Sequence, residues 1–302
     1  MNIFIYDETK KIIKGVKNKD ITSIIIPEGI TEIGCRAFAN CYYLSKIKLP
    51  NTLKKIAISA FENCFCLYSI NLPNSVTEIS NYAFSNCESL FSINIPNGVE
   101  IIGTNTFYNC KILKQIIIPP SVKEIGNSAF YGCEYLESII FSEGLQNIKD
   151  FAFCKCKNII SLNFPESLKN IGYGAFNECK KLQSITFPPM SDIKINNNVF
   201  ANCKQLKKAI LSNKSYLGNR VFMNCSSLRH VNIPYSMDQL TSGLFEHCLS
   251  LQEIYIPRNI KNIRRNTFKE CKKLKKINMY KKTQYDEGSF IDCNNIKIER
   301  YR

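Results

Sequence analysis

The chain has no tryptophan and only two histidines in 302 residues. No nucleophile or carboxylate recurs beside His230 or His247 in a triad-like arrangement. Both read as surface histidines. There is no glycine-rich phosphate loop and no H-E-x-x-H segment, so nothing points to an enzyme, a cofactor or a bound metal. No stretch approaches the ~18 uninterrupted apolar residues of a membrane-spanning helix. The N-terminus, MNIFIYDETKKIIKGV, lacks the basic start and apolar core of a secretory leader. A cytoplasmic location is the default expectation, with the cell surface reached by an unrecognised route as the alternative.

What is present repeats. Phenylalanine recurs at positions 38, 61, 84, 107, 130, 153, 176, 200, 222, 245, 268 and 290, at intervals of 22 to 24 residues. A cysteine follows each of these twelve three residues later, from Cys41 to Cys293, which accounts for twelve of the 15 cysteines. Self-similarity at a fixed period outranks any single motif as a guide to architecture. Only Cys35, Cys66 and Cys154 stand outside the series, and their reactivity is open.

Within one period, LYSINLP (67–73) alternates apolar and polar residues, which is the two-residue period of a strand with one buried face. Pro73 ends it, since proline cannot donate to a sheet ladder. Nine of the eleven prolines occupy that seat. Val76 and Ile79 follow at an interval of three, and glycines such as Gly34, Gly103, Gly126 and Gly172 suit a bend with unusual backbone angles. Phe84 and Cys87, at i and i+3, then fit one helical or 3₁₀ turn facing inward. A period of this length has no room for a crossover helix, so successive strands stack side by side into a solenoid in which neighbours bury each other's apolar faces.

The unit, for example SAFYGCEYLESIIF or YAFSNCESLFSINIPNGVEIIG, resembles the cysteine-containing leucine-rich repeat of the BspA-like family, and the resemblance covers the chain after residue 20. Departures are local: Ser142 and Ser212 stand for the strand-ending proline, and Ala209 for the inward aliphatic residue. The expected fold is a mostly β member of the α/β solenoids, a right-handed leucine-rich repeat solenoid with one parallel sheet and short turns or 3₁₀ segments on the opposite side. Residues 1–20 are expected to form a capping hairpin around Asp7 to Lys10. Residues 21–302 are expected to form about twelve repeats including a degenerate C-terminal cap, ending in the charged strand IKIERYR. The resemblance implies adhesion or interaction proteins.

The pairs Cys64/Cys66 and Cys154/Cys156 invite a zinc or redox reading. Zinc needs three or four converging ligands, and these pairs lie four repeats apart, roughly 20 Å at the strand spacing. Cys64 and Cys156 instead belong to a buried ladder of small apolar residues, with Cys66 and Cys154 as separate, exposed thiols.

Function must therefore sit on the outward strand positions. Those columns run through Ser, Asn and Thr but carry Lys46, Lys48, Ile117, Ile140, Ile210, His230, Tyr255 and Lys276, the residues expected to meet a protein partner. Ile117 and Ile140 form an apolar step on adjacent strands. Charge is unevenly spread: residues 1–200 hold 20 basic and 17 acidic side chains, and residues 201–302 hold 20 and 8. The basic region comprises Arg258, Lys261, Arg264, Arg265, Lys272, Lys273 and Lys275. Because these occupy strand, turn and bends, they face several directions, whereas a recognition stripe would keep to one. A monomeric protein-binding module is expected, with a surface adhesin or a binder of nucleic acid or anionic surfaces as alternatives.

Overall fold

The computed structural model describes residues 3–294 and 296–302, which form two compact units, Met1–Cys156 and Lys157–Arg302. Both are β-solenoids, and no helix occurs among the described residues.

In the first unit the expected strands are present: Ser23–Ile25 pairs in parallel with Lys46–Lys48, Ser69–Ile70 with Ser92–Ile93, and Gln115–Ile118 with Ser138–Phe141. Alternation sets their faces. Ile116 and Ile118 are buried while Gln115 and Ile117 are exposed. Where the pairing lapses a side chain takes over, as Asn94 exchanges hydrogen bonds of 2.8 Å with both the N–H and the carbonyl of Leu72.

A second strand per repeat was not expected. Ile12–Val16, Glu32–Ile33, Lys55–Ile56, Glu78–Ile79, Ile101–Ile102, Glu124–Ile125 and Asn147–Ile148 form a continuous parallel ladder in the first unit. Phe4–Tyr6 adds to its end as an antiparallel hairpin with Ile12–Val16. The Asp7 side chain holds the hairpin turn by accepting from the backbone N–H groups of Thr9, Lys11 and Ile12. The single parallel sheet of the sequence reading is therefore corrected to two ladders per unit. Glycine has a different task here than the one expected. A Cβ on Gly126 would lie 2.8 Å from backbone atoms of Gly103 and Thr104, so glycine is required by close approach of neighbouring coils.

The Phe–Cys segment is not a 3₁₀ helix. Residues two before and two after each phenylalanine adopt positive φ, as at Arg36 (56°) and Asn40 (62°) or Tyr82 (60°) and Asn86 (58°). A left-handed residue breaks any continuous helix, and the N–H groups alternate instead between two directions. Ala37, Ala39 and Cys41 donate within the turn to Gly34, Arg36 and Phe38, while Arg36, Phe38 and Asn40 donate to Ile58, Ala60 and Glu62 of the next coil. This makes a third hydrogen-bonded side between successive coils.

In the core, the phenylalanine rings stack nearly parallel, with centroids 5.3 Å apart for Phe38–Phe61 and 5.0 Å for Phe130–Phe153. From Cys64 onward, ladder cysteines donate the S–H to the carbonyl of the phenylalanine one coil back: Cys64 to Phe38 at 3.2 Å, Cys87 to Phe61 at 3.2 Å, Cys110 to Phe84 at 3.3 Å. That carbonyl also accepts the N–H of its own coil's cysteine, so both of its lone pairs are used. Burial pushes these thiols well above their ordinary pKa.

The second unit repeats this plan. Ser161–Asn163, Ser184–Thr186, Lys208–Ile210 and His230–Val231 form one parallel sheet, and Glu253–Ile256, Lys276–Tyr280 and Lys297–Tyr301 another. Its shorter strands include Asn170–Ile171, Lys194–Ile195 and Tyr216–Leu217. Phe200 stacks on Phe222 at 5.9 Å, and Cys225 donates to the Phe200 carbonyl at 3.2 Å.

Candidate functional site

A repeating interior leaves the outward side chains of the longer strands without a packing task. In the first unit Ile117 and Ile140 are 55% and 54% exposed on directly paired strands, one beside the other. Ile117 also borders an open depression of about 590 Å³ with Ser92, Asn94 and Pro119. Lys46 and Lys48 line a separate one of about 570 Å³ beside Ile25.

In the second unit a depression of about 490 Å³ brings together Lys208, Ile210, Arg229, His230, Glu253, Tyr255 and Asn278. Three of the expected partner-facing residues, Ile210, His230 and Tyr255, thus share one hollow, floored by Ala209, Val231 and Ile254. Ala209 is the small residue that replaces the usual inward aliphatic side chain. Tyr255 is held rather than free, its ring stacked on Tyr301 at 5.4 Å. Lys276 pairs with Glu299 at 2.8 Å. Asn232, in the same outward column, is occupied structurally, bonded to both backbone groups of Leu211.

The basic region divides among three segments. Arg258 and Lys261 follow the strand Glu253–Ile256, and the Arg258 guanidinium lies 5.5 Å over the Tyr280 ring. Arg264 and Arg265 follow Asn262–Ile263, and Arg264 reaches Asp286 at 3.9 Å. Lys272, Lys273 and Lys275 lie between Cys271 and the strand Lys276–Tyr280, with Glu270 3.9 Å from Lys272.

One residue departs from the sequence reading. Cys66 is exposed as expected, together with Cys35, but Cys154 is buried. It follows Phe153 directly, a position where Ser85, Ala201 and Glu246 are buried too. His247 lies in the turn, 3.3 Å from Glu270 and 3.8 Å from Glu246. Glu246 in turn is held by Arg220 at 3.8 Å and Lys269 at 3.5 Å, so this cluster is a neutralised ion-pair network. Among the described residues, no three His, Cys, Asp or Glu side chains converge as a metal site would require.

Sequence reasoning missed the asparagine file. Asn63 donates its amide to Asn40 at 2.8 Å, Asn86 to Asn63 at 2.9 Å, and Asn109 to Asn86 at 3.3 Å, all from positive-φ positions. The signal was available as the recurrent Asn before the ladder cysteine, a residue type that tolerates the left-handed region.

Comparison with known proteins places these features in a family. A family model described as the BspA type leucine-rich repeat region matches residues 15–137, 101–215 and 193–300. A crystal structure of a leucine-rich repeat protein from Bacteroides ovatus is 28% identical, with a TM-score of 0.60, and the match covers 99% of this chain and 93% of that one. A leucine rich cell surface protein from Faecalibacterium prausnitzii is 22% identical, with a TM-score of 0.57, over 99% of this chain and 92% of that one. No match was found among curated proteins. No helix among the described residues is long and apolar enough to cross a membrane.

Proposed function

Because the chain belongs to the BspA-type leucine-rich repeat family, we propose that it is a binding protein that engages a protein partner through the outward residues of its longer strands. The observation that carries this is the pair Ile117 and Ile140. Two branched apolar side chains, each more than half exposed, stand side by side on paired strands. Apolar steps of this kind supply the desolvated centre of protein interfaces. Lys46 and Lys48 on one stretch, and Lys208, Ile210, His230, Tyr255 and Lys276 on another, would complete the recognition surface. Catalysis is not part of the proposal.

The test is affinity capture with the intact chain against the double variant Ile117→Asp/Ile140→Asp. Capture of the dominant partner is expected to be lost while thermal melting is unchanged. Undiminished capture by the variant would overturn the reading. A second setting, display at a cell surface, is suggested by the description of the Faecalibacterium prausnitzii relative as a cell surface protein. Labelling intact cells with a membrane-impermeant reagent decides it: modification of the tagged full-length protein supports display, and protection counts against it.

A further inference from the structure

The corner that carries each coil from its ladder cysteine into the next long strand differs in chemistry between the two units. In Met1–Cys156 the corners read CYYLSK (41–46), CFCLYS (64–69), CESLFS (87–92), CKILKQ (110–115) and CEYLES (133–138), with six aromatic rings, three cations and three carboxylates. These groups satisfy one another. Tyr42 stacks on Phe65 at 5.2 Å and Tyr68 on Phe91 at 5.5 Å, and Lys111 meets Glu88 at 2.8 Å.

In Lys157–Arg302 the corners read CKKLQS (179–184), CKQLKK (203–208), CSSLRH (225–230), CLSLQE (248–253) and CKKLKK (271–276). They hold ten Lys or Arg side chains, one carboxylate and, apart from the His230 imidazole, no aromatic ring. Backbone bonds lay neighbouring corners side by side: Gln205 N–H donates to Lys180 O at 3.3 Å, Lys207 to Gln183 at 2.9 Å, Ser227 to Lys204 at 3.2 Å and Arg229 to Lys207 at 3.0 Å. Charges scattered along the chain are thereby stacked at the strand spacing of ~4.8 Å, inside the ~8 Å Debye length of physiological salt. Among the described residues no carboxylate forms an ion pair with Lys180, Lys181, Lys204, Lys207, Lys208 or Arg229. Lys272 and Lys276 of the last corner meet Glu270 and Glu299, and the six cations before them form a row of like charges that repel one another, without the compensation seen in the first unit.

The chemistry beside the row selects the counter-charged partner. Nine of the ten cations are lysine, a point charge without the planar fork that arginine offers to phosphate. No Phe, Tyr or Trp stands on the corner, and its single ring, the His230 imidazole, does not make the succession of stacking platforms that surfaces for single-stranded nucleic acid use. Next to it lies the hollow of Ile210 and Tyr255, floored by Ala209 and Val231, which suits an apolar side chain. We infer that this corner docks an acidic polypeptide segment, its carboxylates against Lys204, Lys207 and Arg229 and an apolar side chain in the hollow at Ile210. The inference rests on the protein-binding reading above, takes Ile210 and Tyr255 from its surface, and adds the basic corner beside them and the partner's chemistry.

The test measures fluorescence anisotropy of the intact protein with a labelled random glutamate–tyrosine copolymer, with plain polyglutamate and with oligothymidylate, across a salt series. The copolymer is expected to bind most tightly. Lys204→Glu/Lys207→Glu/Arg229→Glu should weaken it by roughly 30-fold, whereas the equally charged control Lys14→Glu/Lys17→Glu/Lys54→Glu leaves it nearly unchanged. Ile210→Asp should remove the copolymer's advantage over polyglutamate. Equal losses from the two triple variants would reduce the effect to net charge and overturn the inference, as would tighter binding of oligothymidylate. If Ile117→Asp/Ile140→Asp keeps its partner while the copolymer behaves as expected, only the strand-face reading falls. If that variant loses its partner while the copolymer fails, only the present inference does.

Discussion

Phe130 shows how much one position can carry. Its ring is fully buried, stacked 5.0 Å from both Phe107 and Phe153. Phe130→Ala should cost about 3–5 kcal/mol, transfer and cavity terms together, and Ser161→Ala, on the exposed column, well under 0.5 kcal/mol. Chemical denaturation of the two variants checks the pair of values, and equal small losses would contradict the assignment of faces. The thiols divide as sharply. Cys35 and Cys66 are exposed, and ladder cysteines such as Cys87, Cys110 and Cys133 are shut in with raised pKa. Brief alkylation of the native protein, read by peptide mass spectrometry, should modify Cys35 and Cys66 fast and Cys87, Cys110 and Cys133 only after unfolding. The inward role of phenylalanine and cysteine was legible because one residue type recurring at one spacing has to occupy equivalent sites. Cys154 was not legible, because its burial depends on the turn closing over the residue after phenylalanine.

At the scale of the element, the turn with two left-handed residues decides more than its length suggests. Asn86 combines a φ of 58° with amide bonds to Asn63 and Asn109. Asn86→Ala should cost about 1–3 kcal/mol from backbone strain and lost bonds. Asn86→Gly, free of the strain, should cost less, and comparing their melting temperatures separates the two causes. Gly126→Ala should cost about 1–3 kcal/mol as an overpacked site, because only backbone stands in the way and cannot swing aside. The last described strand, Lys297–Tyr301, is pinned by Glu299, whose carboxyl is lowered to about 2 by hydrogen bonds from Lys276 and Lys297. A depressed carboxylate stabilises fully above its ordinary pKa of 4.5 and loses that effect as pH falls toward 2. Amide exchange in this strand should therefore differ between wild type and Glu299→Gln at neutral pH, and the difference should shrink below pH 4.5 and vanish near pH 2. The long strands could be read from alternation and a closing proline. Two-residue strands such as Glu78–Ile79 could not, since no period shows in a dipeptide.

For the molecule as a whole, the formal charge of +15 says less than its placement. Counting along residues 258 to 282 merges three segments that point to different tasks. Registering Lys204 against Lys180, and Arg229 against Lys207, reveals a row that spans coils rather than sequence neighbours. That row was out of reach of a linear count because strand pairing, not proximity in the chain, brings its members together. The outward apolar step at Ile117 and Ile140 was within reach, because both share one phase of the strand alternation.

The asparagine file bears on how this protein ages. A carboxamide can both give and take a hydrogen bond, so Asn40, Asn63, Asn86 and Asn109 pass one bond from coil to coil in a single direction. Hydrolytic deamidation at Asn63 would leave an acceptor facing Asn40 where a donor had been, and add a negative charge between neutral amides. Molecules one mass unit heavier at that residue should therefore accumulate among the first to unfold in a stored sample.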